Sequence, residues 1–162
     1  EHTNLIGTLD PERLANELIG DALQALPLLD GVAPGAAVDV GSGAGLPGVP
    51  LMLARPAWTW TLVEPRKKRA QFLWSLRLLL PAPTLKVVEG RDDQVEGPFA
   101  LAVSRAVFSP AVWRERAGRL LLPGGLALVT DDLDPAAGWE SAGSVAYAGP
   151  TGARTVQGWR RT

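Results

Sequence analysis

The run Val38-Asp39-Val40-Gly41-Ser42-Gly43-Ala44-Gly45-Leu46-Pro47-Gly48 decides the fold. Its first residues close a short apolar segment, Ala36 to Val40, that reads as a buried strand. Gly41, Gly43 and Gly45 then alternate with small residues, and Leu46 to Ala54 is compatible with a helix. Strand, glycine loop and helix in that order open an α/β sheet, and such sheets bind ligands just outside the carboxyl ends of their strands. Glycine suits that place because a residue without Cβ lets the backbone itself approach a ligand. Read from Gly43, the loop also fits the G-x-G-x-x-G dinucleotide pattern.

The unit repeats downstream. Trp60-Thr61-Leu62-Val63 is a second strand ending at Glu64. Pro65 and a helix follow, with Phe72, Leu73, Leu76, Leu79 and Leu80 expected on its apolar side. Leu85 to Val88 and Ala100 to Ser104 read as the third and fourth strands, Ala111 to Leu122 as a helix, and Leu126 to Thr130 as a fifth strand after a turn at Pro123-Gly124-Gly125. Strands alternating with helices predict a mostly parallel, doubly wound sheet. Beyond Asp131 the pattern changes: Gly143 to Ala148 and Arg154 to Trp159, joined by Gly149-Pro150-Thr151-Gly152, predict an antiparallel C-terminal hairpin at the sheet edge. That makes an α/β fold of about seven strands. Upstream, Asp10 as N-cap and Pro11 at the first helical position predict a helix to about Leu29, with Leu14, Leu18, Leu23 and Leu26 apolar. The expected organisation is an N-terminal helical segment, residues 1–30, and a single cofactor-binding core, residues 31–162.

Composition narrows the function. A chain of 162 residues, 46% apolar and 20% charged, holds one core and is not mainly disordered. The longest apolar run ends at Leu78-Leu79-Leu80 before Pro81, so no membrane span is expected. The chain begins at Glu1 rather than Met, without a charged-then-apolar leader; a preceding native segment and no secretory signal are expected. There is no cysteine and one histidine, His2. This excludes disulfides, thiolate nucleophiles and cysteine zinc sites, leaves little for imidazole chemistry, and predicts no metal site. Sixteen Lys and Arg against seventeen Asp and Glu give a net charge of -1, which argues against an overall electrostatic grip on nucleic acid and leaves room for a local patch. The densest basic cluster is Arg66-Lys67-Lys68-Arg69 at a helix start, where each cation opposes the helix dipole by up to ~1 kcal/mol. RNA phosphate would explain that placement; a solvated helix face is the competing explanation.

Two ligands compete for the glycine loop. Glu64, about 20 residues past the first loop glycines, suits a ribose 2′-OH as in NAD proteins. Asp39 and the terminal hairpin favour S-adenosylmethionine instead. A sulfonium cofactor carries a positive charge and no phosphate, so an acid beside the loop suits it, whereas a pyrophosphate would be repelled.

Val38 through Leu51, then Leu62-Val63-Glu64 with Lys67-Lys68-Arg69 and Phe72-Leu73, then Gly90-Arg91 and Ser104-Arg105-Ala106 together resemble one family. It is the 16S ribosomal RNA guanine-N7 methyltransferases, the RsmG family, also called GidB or glucose-inhibited division protein B. The continuation Leu46-Pro47-Gly48-Val49-Pro50-Leu51 is far more specific than the glycines. Asn4-Leu5 and Asp21-Ala22-Leu23 also resemble family positions, so the likeness covers nearly the whole chain. It implies a class I, Rossmann-like methyltransferase that uses S-adenosylmethionine to methylate N7 of a guanosine in 16S rRNA or a small-subunit precursor, as a monomer in the bacterial cytoplasm.

Carried over by position, Gly41 and Leu46 would line the methionine side of the cofactor, with Asp39 just before the loop and Gly43 and Gly45 within it as further cofactor-binding residues. Glu64 would bind the ribose hydroxyls, Asp92 and Asp93 would lie on the adenine side, and Arg105 on the floor near the methyl group, as both cofactor-binding and catalytic-site residue. Asp92 and Asp93 equally suit a turn cap. Arg66, Lys67, Lys68 and Arg69 would contact RNA, and Arg114, Arg116 and Arg119 could extend that patch. Guanine N7 has a free lone pair, so its methylation requires no general base. Two stretches differ from the family pattern: Glu17-Leu18 replaces an Arg-His pair, and Thr130-Asp131-Asp132 replaces a Lys-Gly. Two other readings stay open, a SAM-binding regulatory or assembly protein without catalysis and a small NAD-dependent oxidoreductase.

Overall fold

Seven strands form one sheet in the order β3-β2-β1-β4-β5-β7-β6. They are β1 Ala36–Val40, β2 Thr59–Glu64, β3 Lys86–Glu89, β4 Phe99–Val103, β5 Leu121–Thr130, β6 Trp139–Gly149 and β7 Gly152–Arg161. The helices are α1 Gly20–Leu23, α2 Gly48–Ala54, α3 Lys67–Leu79 and α4 Pro110–Leu120. The computed structural model describes residues 10, 12, 14–80, 84–131, 133–149 and 152–162; the readings placed on His2, Asn4, Leu5, Pro11, Pro81, Asp132, Pro150 and Thr151 lie outside them. The β1–β2, β2–β3, β1–β4 and β4–β5 pairs are parallel, and β7 runs antiparallel to both β5 and β6. The predicted sheet with its C-terminal hairpin is the observed one.

Side-chain alternation sorts the central strands between two cores. Ala37, Leu62, Leu101, Val103, Leu126 and Leu128 face Leu51 and Met52 of α2, Leu73 of α3, and Leu28 and Leu29 of the N-terminal run. Val38, Val40, Val63, Ala102, Ala127 and Val129 face Trp113, Ala117 and Leu120 of α4. Both faces being covered, these strands read as unbroken apolar runs. Each fully buried Val or Leu contributes about 1.5–3 kcal/mol of burial free energy. The sheet can therefore hold its loops rigidly at the carboxyl edge.

Local differences from expectation have physical causes. The N-terminal helix is broken into a π-helical turn Leu14–Ile19, the short α1, and a 3-10 turn Leu26–Leu29 with Pro27 in its first turn, because Pro27 offers no N–H to continue an α-helix. Pro123-Gly124-Gly125 is not a turn before β5. It lies inside β5, between pairs Phe99↔Leu121 and Leu101↔Leu126, as a bulge. Leu79 is not on the apolar side of α3; Leu78 and Leu79 are 86% and 79% exposed. A helix of 13 residues rises about 20 Å, whereas the four residues of β3 span about 13 Å, so the end of α3 overruns the sheet edge.

Candidate functional site

The strand order reverses direction between β1 and β4, and the glycine loop lies at that point. Gly41, Gly43 and Gly45 have φ of +74°, +58° and +88°, a left-handed conformation that L residues with a Cβ resist. The loop is pinned to β2, since the N–H groups of Gly41 and Ser42 both donate to the Val63 carbonyl, at 2.8 and 3.1 Å. Ser104 at the end of β4 donates its hydroxyl to the Val40 carbonyl at 2.8 Å and closes the other side.

Glu64 lies against this loop. It is buried, with Oε2 accepting the Gly43 N–H and Oε1 the Arg66 N–H, each at 2.9 Å. A carboxylate thus sits where a dinucleotide pyrophosphate would need free amide donors. Each carboxylate oxygen keeps a further lone pair for a hydroxyl donor. Asp39 points to the opposite side of β1 from Val38 and Val40, underneath the loop. It is completely buried, and its Oδ2 accepts the N–H of Gly48, the first residue of α2, at 2.9 Å. Its Oδ1 has no partner. Burial pushes the Asp39 carboxyl up from 3.8 to about 7, opposed by the Gly48 N–H.

A cleft of about 250 Å³ opens beside the loop, lined by Gly41, Pro65, Gly90, Asp92, Phe108 and Arg116 among others. Asp92 and Asp93 lie on a 3-10 turn after β3. Arg116 Nη1 donates to both oxygens of Asp92, at 2.9 and 2.7 Å, so Asp92 lines the cleft as part of an ion pair while Asp93 is exposed. Arg105 is placed elsewhere. Its Nη1 donates to Asp21 Oδ2 at 3.1 Å, and it lines a neighbouring cleft rather than this one.

The basic cluster divides. Arg66, Lys67 and Lys68 are exposed, while Arg69 is half-buried; a Cβ built on Gly43 would have Arg69 Nη1 as its nearest neighbour, at 3.7 Å. The later arginines do not extend a free basic face. Arg116 holds Asp92, Arg119 pairs with Glu115 one helical turn away, and Arg114 lies over the Trp159 ring, 5.0 Å from its centroid. Among the described residues no helix is long and apolar enough to cross a membrane, and no group of three His, Cys, Asp or Glu is placed to hold a metal ion.

Phe108, which lines the cleft, is not singled out by the sequence, and Asp21, which holds Arg105, is marked there only by resemblance. The available signal was Asp21 itself, an acid in the apolar run Leu18 to Leu23, because buried acids require partners.

A seven-stranded sheet with an antiparallel end, a glycine loop at its switch point and an acid closing β2 defines the class I methyltransferase fold. Solved structures agree: the chain superposes on TrmN from Thermus thermophilus with a TM-score of 0.68 at 12% identity, covering 87% of this chain and 49% of that one. It also superposes on the putative methyltransferase yhhF from Escherichia coli with a TM-score of 0.66 at 18% identity, covering 88% and 84%. The family model GidB, described as rRNA small subunit methyltransferase G, matches residues 1–140, and the chain belongs to that family. Relatives of that name include one from Nitrosomonas europaea, 44% identical over 65% of this chain and 49% of its own length. Another, from Anaeromyxobacter sp., is 40% identical over 75% of this chain and 58% of its own length. The chain spans about half the length of the relatives it matches.

Proposed function

We propose that the chain binds S-adenosylmethionine in the glycine-loop cleft and transfers its methyl group to N7 of a guanosine in 16S rRNA, or in a small-subunit precursor, as a monomer in the bacterial cytoplasm. Residues 31–162 act as one cofactor-binding core, with 1–30 as an appended helical segment. The observation that carries this reading is the Glu64 carboxylate on the Gly43 N–H. It takes the amide that a pyrophosphate would use and adds a negative charge, which fits a ribose-bearing cofactor without phosphate and disfavours NAD.

Gly41 lines the cleft, and Gly43, Gly45 and Leu46 would meet the cofactor from the rest of the loop. Asp39 holds the loop and α2 together from below through Gly48. Glu64 receives ribose hydroxyls, and Asp92 and Asp93 lie on the adenine side. When bound in this cleft, S-adenosylmethionine would supply an electrophilic methyl group on a sulfonium, which the N7 lone pair would take while the C–S electron pair stayed on sulfur. No residue of the chain has to move a proton. The task of the protein is alignment and charge placement, which is where most methyl-transfer acceleration has to come from here. Exposed Arg66, Lys67 and Lys68 approach RNA phosphates, and Arg69 turns toward the loop.

Calorimetry with S-adenosylhomocysteine and with NAD tests the cofactor. Micromolar binding of the first alone is expected, and binding of NAD alone rejects the reading. Ribosomal RNA from a strain lacking this gene, incubated with the chain and S-adenosylmethionine and mapped for N7-methylguanosine, tests the reaction. Homocysteine-product binding with no modification would make the chain a binder without turnover.

A further inference from the structure

A second cleft of about 270 Å³ opens beside the first, and Phe108 lines both. Phe108, at their shared border, is held in place. The Phe108 ring stacks on Trp113 with centroids 5.9 Å apart and carries the Arg116 guanidinium 4.8 Å from its centroid, while Arg116 is itself tied to Asp92. Under the second cleft lies Asp21, its side chain 4% exposed. Its Oδ2 accepts from Arg105 at 3.1 Å, and its Oδ1 accepts from the Tyr147 hydroxyl and from Arg154 Nη1, both at 2.9 Å. These partners come from the loop after β4 and from the hairpin, where Tyr147 and Arg154 face one another across β6 and β7. The cleft also holds both of the non-glycine residues that are left-handed among the described ones, Ala106 at φ 56° and Asp131 at φ 71°. Strain of this kind persists where the surroundings over-determine it and clusters at functional sites.

We propose that this second cleft receives the target nucleobase, a purine presented by its N7/O6 edge, and that Asp21 is the positioning residue that aims Arg105 and Tyr147 at it. The proposal rests on the methyltransferase reading above. Phe108 borders both clefts, so a group in this one lies next to whatever occupies the first. The volume lies just under the ~300–1,000 Å³ usual for small-molecule sites, which suits one extruded base rather than a strand. The guanine edge offers two acceptors, N7 and O6. N7 must keep its lone pair for the methyl group, so the edge has to be held through O6. Arg105 gives one Nη1 bond to Asp21 and retains further N–H donors for that oxygen. Without the Asp21 carboxylate, Arg105 loses the partner that holds its aim. The same carboxylate anchors the Tyr147 hydroxyl, so its ring is a stationary surface for base stacking. Burial and the Asp21 carboxylate push the Tyr147 phenol up to about 12, which keeps that anchor protonated through the working range. When the new C–N bond forms and the C–S pair leaves with sulfur, the base becomes cationic; among the described residues lining the cleft, Asp21 and Asp131 balance Arg105 and Arg154.

Amide chemical shifts of the 15N-labelled chain test this. S-adenosylhomocysteine is expected to shift Gly41, Gly43, Gly90 and Asp92, and guanosine 5′-monophosphate added to that complex is expected to shift Ala106, Thr130, Asp131, Tyr147 and Thr155. No response to S-adenosylhomocysteine overturns the methyltransferase reading and this proposal with it. A normal response to it, with the nucleotide shifting only the first cleft or nothing, overturns this proposal alone. In turnover, Asp21→Asn is expected to keep S-adenosylhomocysteine affinity within about twofold and to lower kcat about 100-fold with KM for RNA changed less than about threefold, the pattern of an interaction needed in the transition state. If Asp21→Asn does not fold, Tyr147→Phe, which removes a single hydroxyl, is expected to lower kcat about tenfold. Unchanged kcat in a folded variant, or a parallel loss of cofactor affinity, rejects the positioning role.

Discussion

The two clefts at the carboxyl edge of the sheet are built from different materials. The first is mostly backbone: left-handed glycines and amides bonded to Val63 and Glu64, with contacts 2, 9 and 21 residues apart in the chain, closed by Ser104 and by the Arg116–Asp92 pair. The second is side chain: one buried carboxylate gathering groups 84, 126 and 133 residues away. Backbone shape tolerates changes in charge but not in volume, and a charge cluster does the reverse. Each cleft should therefore have its own way of failing.

Four substitutions separate them, in order of expected effect. Asp21→Ala removes the buried carboxylate that Arg105 and Arg154 share. Breaking a buried ion cluster costs about 3–5 kcal/mol, and about 2–4 kcal/mol is expected here because Arg154 is 37% exposed and can reach water. Urea denaturation measures this, and a loss below about 1 kcal/mol would mean that the hairpin packs without the cluster. Gly41→Val attacks the other cleft. A Cβ there would overlap Val107 at φ +74°, and S-adenosylhomocysteine affinity is expected to fall at least about 100-fold, or about 2.7 kcal/mol. Undiminished affinity in calorimetry would reduce the loop to a turn.

Asp39→Asn sharpens the comparison through pH. The folded carboxyl titrates near 7 against a usual 3.8, so between those values the unfolded chain has released a proton that the folded chain still holds. Stability therefore falls as pH rises from about 4 to 7 and levels off above, by on the order of 2 kcal/mol after allowance for relaxation around the site. The Asp39→Asn variant lacks that slope, while its amide oxygen can still accept from Gly48. Parallel curves for parent and variant, from urea midpoints at pH 5 and pH 8, would show that Asp39 is ionised in the fold. The smallest effect is Tyr147→Phe on stability, about 1 kcal/mol for one hydroxyl bonded to a carboxylate, with cofactor affinity unchanged.

What the sequence discloses follows the same division. β1, the glycine loop and Glu64 are legible because they are consecutive or at fixed spacing, and chemistry follows from residue type at a strand end. The orientation of Asp39 was also within reach, since alternation puts it opposite Val38 and Val40, but its bond to Gly48 depends on how closely α2 approaches. Pro123-Gly124-Gly125 reads as a turn from its composition; only the pairing of Leu121 and Leu126 with β4 makes it a bulge. The Asp21 cluster is illegible for a different reason. Tyr147 meets Arg154 through a cross-strand register that the hairpin alone determines, and neither residue announces the acid 126 and 133 positions before them.

Those long separations also bear on the order of assembly. Contacts between distant parts of a chain carry the larger loop-closure cost and form later than local ones. The glycine loop meets β2 first and is closed by Ser104 and Arg116 once β4 and α4 have docked, whereas the Asp21 cluster waits until the C-terminal hairpin has docked as well. During refolding, a stopped-flow signal from the glycine loop should rise before one from the Asp21 cluster.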